Sequence, residues 1–118
     1  MKKKHILIVE DERIVSADIK ISLQKFGFAV AGTAVSGEDA IKKAEKLRPD
    51  LVLMDIILKD KMDGIEAATL ISSRFDIPVV YLTAHADDKT LERAKITEPF
   101  GYLLKPFDDK DLHTHKRL

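Results

Sequence analysis

Carboxylates follow two apolar segments. In parallel α/β sheets, the groups that bind and react lie at the carboxyl ends of such strands. The run His5–Val9 ends on Glu10 and Asp11, and the run Leu51–Met54 ends on Asp55. If the two runs are neighbouring strands, the three carboxylates converge and repel one another, and a hard divalent cation such as Mg²⁺ relieves that repulsion. An aspartate can act as the nucleophile in phosphoryl transfer. These residues therefore indicate Mg²⁺-dependent phosphoryl chemistry at Asp55.

Two further polar residues follow later apolar runs. Thr83 follows Ile77–Leu82, and Lys105 follows Gly101–Leu104. A hydroxyl and an ammonium group suit the oxygens of a phosphoryl group, and Lys105 together with Mg²⁺ neutralises the formal charge of the three carboxylates. The sequence contains no glycine-rich nucleotide loop that would suggest a different phosphate site.

The elements that must position these residues alternate between strands and helices. Continuous apolar runs predict strands, and apolar residues at spacings of three and four predict helices between them. Such alternation is typical of a parallel sheet with helices on both faces, and right-handed crossovers bring the carboxyl ends of all strands to one edge. The predicted strands are His5–Val9, Phe28–Ala34, Asp50–Asp55, Ile77–Leu82 and Gly101–Leu104.

Five helices are predicted between and after these strands. Ser36 is expected to cap the second helix, and Asp63 with Gly64 to begin the third. Gly27 and Pro99 are expected to end the first and fourth, and the last helix is predicted over Phe107–Leu118. The residues expected to face the core are Ile14, Ala17 and Ile21 in the first helix, Ala40, Ile41, Ala44 and Leu47 in the second, Ile65, Ala68 and Ile71 in the third, Leu91 and Ala94 in the fourth, and Leu112 in the fifth.

Length and composition indicate a single domain over residues 1–118, with the end of the sequence inside or just past the last helix. The chain carries 20 basic and 20 acidic residues, so its net charge of zero gives no general attraction to nucleic acid or membrane. It has no cysteine, which excludes disulfides and thiolate metal sites. The apolar run near the start is too short for a signal peptide or a membrane span, and a cytoplasmic protein is expected.

Five segments, in order and at near-family spacing, show a resemblance over essentially the whole chain. They are ILIVEDE at Ile6–Glu12, LVLMD at Leu51–Asp55, MDG at Met62–Gly64, VVYLTA at Val79–Ala84 and GYLLKPF at Gly101–Phe107. The chain resembles the receiver domains of two-component response regulators. This resemblance implies a doubly wound, flavodoxin-like (βα)5 fold, with a five-stranded parallel sheet of order 2-1-3-4-5.

The resemblance also implies a role for each candidate residue. Asp55 would be the phosphoacceptor, and Glu10 and Asp11 the acidic pair beside it. Asp11, Asp55 and the backbone carbonyl of Ile57 would ligate Mg²⁺, with Mn²⁺ as a substitute.

The same family pattern assigns the remaining candidate residues to phosphoryl contact and switching. Thr83 and Lys105 would contact the phosphoryl group, and Tyr102 would be an aromatic switch that turns inward when Thr83 moves. The domain would catalyse only its own phosphorylation and dephosphorylation, so it would not be an enzyme in the usual sense.

The loop after Asp55 departs from the family pattern. Eight positions separate Asp55 from Asp63, one more than usual, and the customary proline is absent. A local bulge in Ile56–Met62 is expected, and the geometry of the Ile57 carbonyl depends on it.

The resemblance implies partners as well as chemistry. A sensor histidine kinase would supply the phosphoryl group, and an output domain or downstream protein would bind the face formed by the fourth helix, fifth strand and fifth helix. A homodimer is compatible with this arrangement, whereas direct contact with nucleic acid or membrane is not expected.

Two alternatives stay open. One is a Mg²⁺-dependent phosphatase of the haloacid-dehalogenase type, although the position of its second aspartate is Ile57 here. The other is a receiver-like interaction module that is not phosphorylated.

Overall fold

The computed structural model describes residues 3–56, 58, 62–83 and 101–104, with Thr83 and residues 101–104 described as backbone. Strands and helices alternate along this part of the chain, as predicted. The elements are β1 (His5–Val9), α1 (Arg13–Lys25), β2 (Ala29–Ala34), α2 (Gly37–Leu47), β3 (Leu51–Asp55), α3 (Gly64–Phe75), β4 (Val79–Thr83) and β5 (Gly101–Leu104).

The five strands form one parallel sheet in the order β2-β1-β3-β4-β5, which confirms the predicted order. Strand ends differ from the predicted ones by at most two residues. The register pairs Val9 with Met54, and Asp55 with Leu82. The carboxyl ends of β1, β3 and β4 therefore lie level with one another at one edge of the sheet.

Strands β1, β3 and β4 are largely buried on both faces, which explains why they are continuous apolar runs. Leu7 and Val9 of β1 pack into a cluster with residues of α2 and α3, such as Ala44 and Ile71. The alternate β1 residues pack into a second cluster with residues of α1. Helices consequently cover both faces, as the doubly wound architecture requires.

The predicted inward face of α1 is wrong. Ile14 is 81% exposed and Ile21 is 64% exposed, whereas Ile19 and Leu23 are buried in the cluster beneath the helix. Ala17 is exposed too. The helix has two rows of apolar residues. The row that packs against the sheet consists of Val15, Ile19, Leu23 and Phe26. That row presents more large side chains to the core, so its burial stabilises the fold more.

The other two described helices pack largely as predicted. Ile65, Ala68 and Ile71 of α3 are buried, and so are Ala40 and Ala44 of α2. Ile41 packs partly against the same cluster. Leu47, by contrast, is 40% exposed because it stands at the end of α2, over the edge strand β2.

Short polar residues cap the helices where the sequence predicts. The Ser36 hydroxyl accepts a hydrogen bond from the Asp39 amide at 3.1 Å. The Asp63 carboxylate accepts one from the Glu66 amide at 2.9 Å, so α3 begins at Gly64. Gly27 follows α1 with a φ of 88°, a conformation that glycine adopts without strain, and it ends the helix as predicted.

The predicted fourth and fifth helices, including Leu91, Ala94, Pro99 and Leu112, lie outside the described residues, as does Lys105. Among the helices that the structure describes, none combines the length and apolarity that crossing a membrane requires.

Candidate functional site

Three carboxylates meet at the carboxyl edge of the sheet. Glu10, Asp11 and Asp55 each offer an oxygen, and these oxygens all lie within 4.8 Å of one another. Because Val9 pairs with Met54, the residues that follow them on β1 and β3 are neighbours in space. The sheet register thus brings together acids that are more than 40 positions apart in the sequence, as predicted.

Most of this charge is removed from water. Glu10 is 1% exposed and Asp55 is 6% exposed, while Asp11 is half-buried. Like charges buried this closely are costly unless partners offset them, because solvent screens them poorly. Buried like charges are therefore more common at functional sites than in a structural core.

The donor set fits a hard divalent cation. All three groups are carboxylates, and Mg²⁺ prefers oxygen ligands in a compact octahedral arrangement. With oxygens at about 2.1 Å from the ion, two ligands lie at most roughly 4.2 Å apart. The 4.8 Å span of the cluster is close to that value, so small side-chain adjustments would suffice to hold the ion.

Backbone hydrogen bonds fix the ends of the strands that carry the acids. The Glu10 amide donates to the Ala34 carbonyl at 3.0 Å, which extends the contact between β1 and β2 by one residue. The Ile56 amide donates to the Leu82 carbonyl at 3.1 Å, which does the same for β3 and β4. Asp55 therefore lies inside a hydrogen-bonded ladder rather than on a free loop.

Thr83 and Tyr102 stand on the neighbouring strands. Asp55 pairs with Leu82, so Thr83 follows one position beyond the acid on the adjacent strand. Thr83 pairs with Leu104, and Tyr102 lies two residues earlier on β5, beside Tyr81. The backbone thus brings Thr83 close to Asp55 and places Tyr102 one strand further away.

Two predicted site residues, Lys105 and Ile57, lie outside the described residues, and so do the side chains of Thr83 and Tyr102. Lys105 directly follows Leu104, the partner of Thr83 in the sheet. Ile57 directly follows Ile56, whose amide continues the ladder.

Sequence reasoning missed a close contact between Asp55 and Gly64. A Cβ atom on Gly64 would lie 1.8 Å from the Asp55 carbonyl oxygen, and the Gly64 amide donates to the Ile56 carbonyl at 3.1 Å. The sequence predicts Asp63 and Gly64 as the start of the third helix and Met62–Gly64 as a segment of the family pattern. Nothing in the spacing of the sequence indicates that this glycine contacts the acid.

Comparison with known proteins is consistent with this geometry. The response regulator receiver domain family matches residues 6–117. The transcriptional regulatory protein PdtaR of Mycobacterium tuberculosis is 38% identical over 109 residues, which is 92% of this chain and 53% of PdtaR. This chain spans about half the length of that relative.

Solved structures agree with the sequence comparison. The signal receiver domain of a modulated diguanylate cyclase from Desulfovibrio desulfuricans G20 superposes with a TM-score of 0.93 at 38% identity, covering 98% of this chain and 92% of that one. The chemotaxis protein CheY4 of Vibrio cholerae superposes with a TM-score of 0.86 at 26% identity, covering 98% of each chain.

The chain belongs to the response regulator receiver family. It is a receiver domain with a flavodoxin-like fold, of the kind found in two-component systems, and is a signalling module rather than a classical enzyme. The haloacid-dehalogenase alternative finds no support in these comparisons. Mg²⁺ and phosphoaspartate are general features of the family.

Proposed function

We propose that Asp55 accepts a phosphoryl group from the phosphohistidine of a sensor histidine kinase in a Mg²⁺-dependent reaction. The observation that carries this proposal is the cluster of three carboxylates within 4.8 Å at the carboxyl edge of the sheet. Asp11, Asp55 and the Ile57 carbonyl would hold the ion, with Glu10 beside them. When bound, Mg²⁺ or Mn²⁺ would neutralise charge on the phosphoryl oxygens and on the carboxylates.

For the transfer itself, the protein mainly has to position the reacting groups and neutralise the charge on the phosphoryl group. A carboxylate oxygen of Asp55 attacks phosphorus and forms a P–O bond. The P–N bond of the phosphohistidine breaks, and its electron pair stays on the imidazole nitrogen. Thr83 and Lys105 would contact the phosphoryl oxygens. The sheet supports these roles, because Thr83 ends β4, the strand beside Asp55, and Lys105 directly follows β5, the next strand. Hydrolysis of the acyl phosphate by water reverses the modification.

The signal would pass along β4 and β5. Thr83 would move toward the phosphoryl group and Tyr102 would turn inward, which changes the face formed by the fourth helix, β5 and the fifth helix. That face would have two conformations, and the charge added by phosphorylation of Asp55 would shift the equilibrium between them. An output domain or downstream protein would bind that face, and a homodimer would use the same surface.

The similarity to a transcriptional regulatory protein about twice as long supports a partner or output segment of this kind. Direct nucleic-acid or membrane contact by this domain is not proposed, since its net charge is zero. The location we propose for it is the cytoplasm, where sensor kinases present their phosphohistidine.

A small acyl phosphate donor tests the proposal without a kinase. With Mg²⁺, the chain should gain one phosphoryl group, seen by intact mass spectrometry, and removal of Mg²⁺ by a chelator should lower the yield at least about tenfold. Repeated turnover on phosphate esters would instead indicate a phosphatase. If neither the donor nor a sensor kinase gives an adduct, the interaction module is the better explanation.

The exposed apolar pair on α1 is expected to affect transfer from a kinase but not from a small donor. Ile14 is four residues from Glu10 along the chain, and Ile14 and Ile21 are both mostly exposed and lie two turns apart on α1, so they offer apolar contacts to a kinase that docks there. With a sensor kinase that phosphorylates the wild type, Ile14→Glu should slow transfer about tenfold or more. The rate with the small donor should be unchanged.

The exposed residue Leu47 provides the control, because it is 40% exposed at the far end of α2. Leu47→Glu should leave both rates unchanged. Equal slowing of both reactions by Ile14→Glu would show that the substitution disturbs the site rather than the docking of the kinase.

A further inference from the structure

We infer that Gly64 is a positioning residue for the acceptor, because its missing side chain lets the first turn of α3 sit directly on the main chain of Asp55. The inference rests on the proposed function, since what it positions is the Asp55 carboxylate and the peptide that follows it. Gly64 would touch neither the phosphoryl group nor the ion, and it would act only through Asp55 and Ile56.

Main-chain atoms of Asp55 and Ile56 occupy the space that a side chain at position 64 would need. A Cβ atom built on Gly64 would lie 1.8 Å from the Asp55 carbonyl oxygen, 2.9 Å from its carbonyl carbon and 3.0 Å from the Ile56 Cα. All three are backbone atoms, which cannot rotate away as the end of a long side chain can. Any side chain at this position must therefore displace either the start of α3 or the end of β3.

Hydrogen bonds show what that displacement would disturb. Ile56 is held on both sides, since its amide donates to the Leu82 carbonyl and its carbonyl accepts from the Gly64 amide, each at 3.1 Å. The Ile56 carbonyl shares a planar peptide unit with the Ile57 amide. The contact with Gly64 thus orients the chain between Asp55, the proposed acceptor, and Ile57, whose carbonyl is the proposed third ligand.

The loop after the acceptor has a second anchor. A Cβ atom on Gly37, the first residue of α2, would lie 3.0 Å from the Met62 Cγ and 3.1 Å from the Met62 carbonyl oxygen, so Met62 packs tightly over that helix. The loop is therefore fixed at Ile56 on one side and at Met62 and Gly64 on the other.

The test compares Gly64→Ala with Gly27→Ala. Gly27 has a φ of 88° and no atom within 4 Å of an added Cβ, so alanine there strains the backbone without touching the site. Each variant should lower the melting temperature by about 5 °C or more. Only Gly64→Ala should also weaken Mg²⁺ binding, measured by calorimetric titration, by about tenfold or more, with a matching loss in the rate of adduct formation.

Two substitutions of Asp63, the N-cap of α3, test the inference if Gly64→Ala does not fold. Asp63→Ala removes the cap of α3 and lets its first turn move away from Asp55, whereas Asp63→Ser removes the same charge but keeps a capping oxygen. Asp63→Ala should bind Mg²⁺ about threefold or more weakly than Asp63→Ser.

The outcomes separate the inference from the proposed function. A wild-type chain that neither binds Mg²⁺ nor forms an adduct overturns the proposed function and this inference with it. A wild-type chain that does both, with Gly64→Ala binding Mg²⁺ as tightly as Gly27→Ala, overturns the inference alone. Equal affinities of Asp63→Ala and Asp63→Ser would overturn it in the same way.

Discussion

Asp55→Asn is expected to abolish phosphoryl acceptance, lowering the yield with a small acyl phosphate donor and Mg²⁺ by at least about a thousandfold. An amide lacks the anionic oxygen that attacks phosphorus, so no acyl phosphate can form at this position. Asparagine has nearly the volume of aspartate, so the fold should persist. Intact mass measures the yield, and a thermal melt checks that the variant is folded.

Asp50→Asn is the matched control for this experiment. Asp50 lies just before β3, where its carboxylate accepts a hydrogen bond from the His5 amide at 2.7 Å at the opposite end of that strand. The same chemical change there should leave the adduct intact. An adduct that persists in Asp55→Asn at the wild-type level would place the acceptor elsewhere, and fragmentation of the modified chain would identify it.

Strands β1, β3 and β4 could be predicted from sequence because they are largely buried on both faces. Such strands are continuous apolar runs, and in β1 and β3 a charged residue marks the point where each reaches the edge of the sheet. The carboxylate cluster follows once β1 and β3 are adjacent. That adjacency came from the family resemblance, since alternation of strands and helices alone is compatible with other orders.

The orientation of α1 could not be predicted in the same way. Ile14, Ala17 and Ile21 have helical spacing, but so do Val15, Ile19 and Leu23, and only packing decides which row is buried. The periodicity of a single sequence identifies an amphipathic helix more readily than it identifies the inner side of one with two apolar rows. The exposed row is the part of this helix that remains available to a partner.

The contact between Gly64 and Asp55 could not be predicted from the sequence either, because it depends on how closely two segments of the main chain approach each other. A glycine at the start of a helix has many explanations, and the residue types around Gly64 do not distinguish among them. The roles of Lys105, Ile57 and Tyr102 stay predictions: they rest on family motifs, and the structure describes none of their side chains.

Glu10→Gln is expected to have opposite effects on stability without and with Mg²⁺. Two unit charges at about 4.8 Å repel by roughly 3 kcal/mol at an effective dielectric constant near 20, and Glu10 is 1% exposed. Removing its charge should therefore raise the free energy of unfolding in a chelator by about 1–2 kcal/mol, less than the full repulsion because Glu10 also has other interactions. Urea denaturation measures this change.

With Mg²⁺ the order should reverse. An ion that binds only the folded state stabilises it by RT ln(1 + [L]/Kd), or about 2.7 kcal/mol at one hundred times Kd. Glu10→Gln weakens the ion's electrostatic attraction to the cluster, so at the same Mg²⁺ concentration the variant should gain at least about 2 kcal/mol less than the wild type, which exceeds its advantage in the chelator. Asp50→Asn, remote from the cluster, should gain as much as the wild type.

The informative result is the reversal in relative stability: Glu10→Gln is more stable than the wild type in the chelator and less stable with Mg²⁺. Each of the simpler explanations predicts no such reversal. If Glu10 were held only by hydrogen bonds within the protein, Glu10→Gln would be destabilised by the same amount with and without Mg²⁺. If the acids did not repel one another, its free energy of unfolding in the chelator would not rise. A gain without Mg²⁺ and a deficit with it requires that the buried charge of Glu10 opposes folding until a cation balances it.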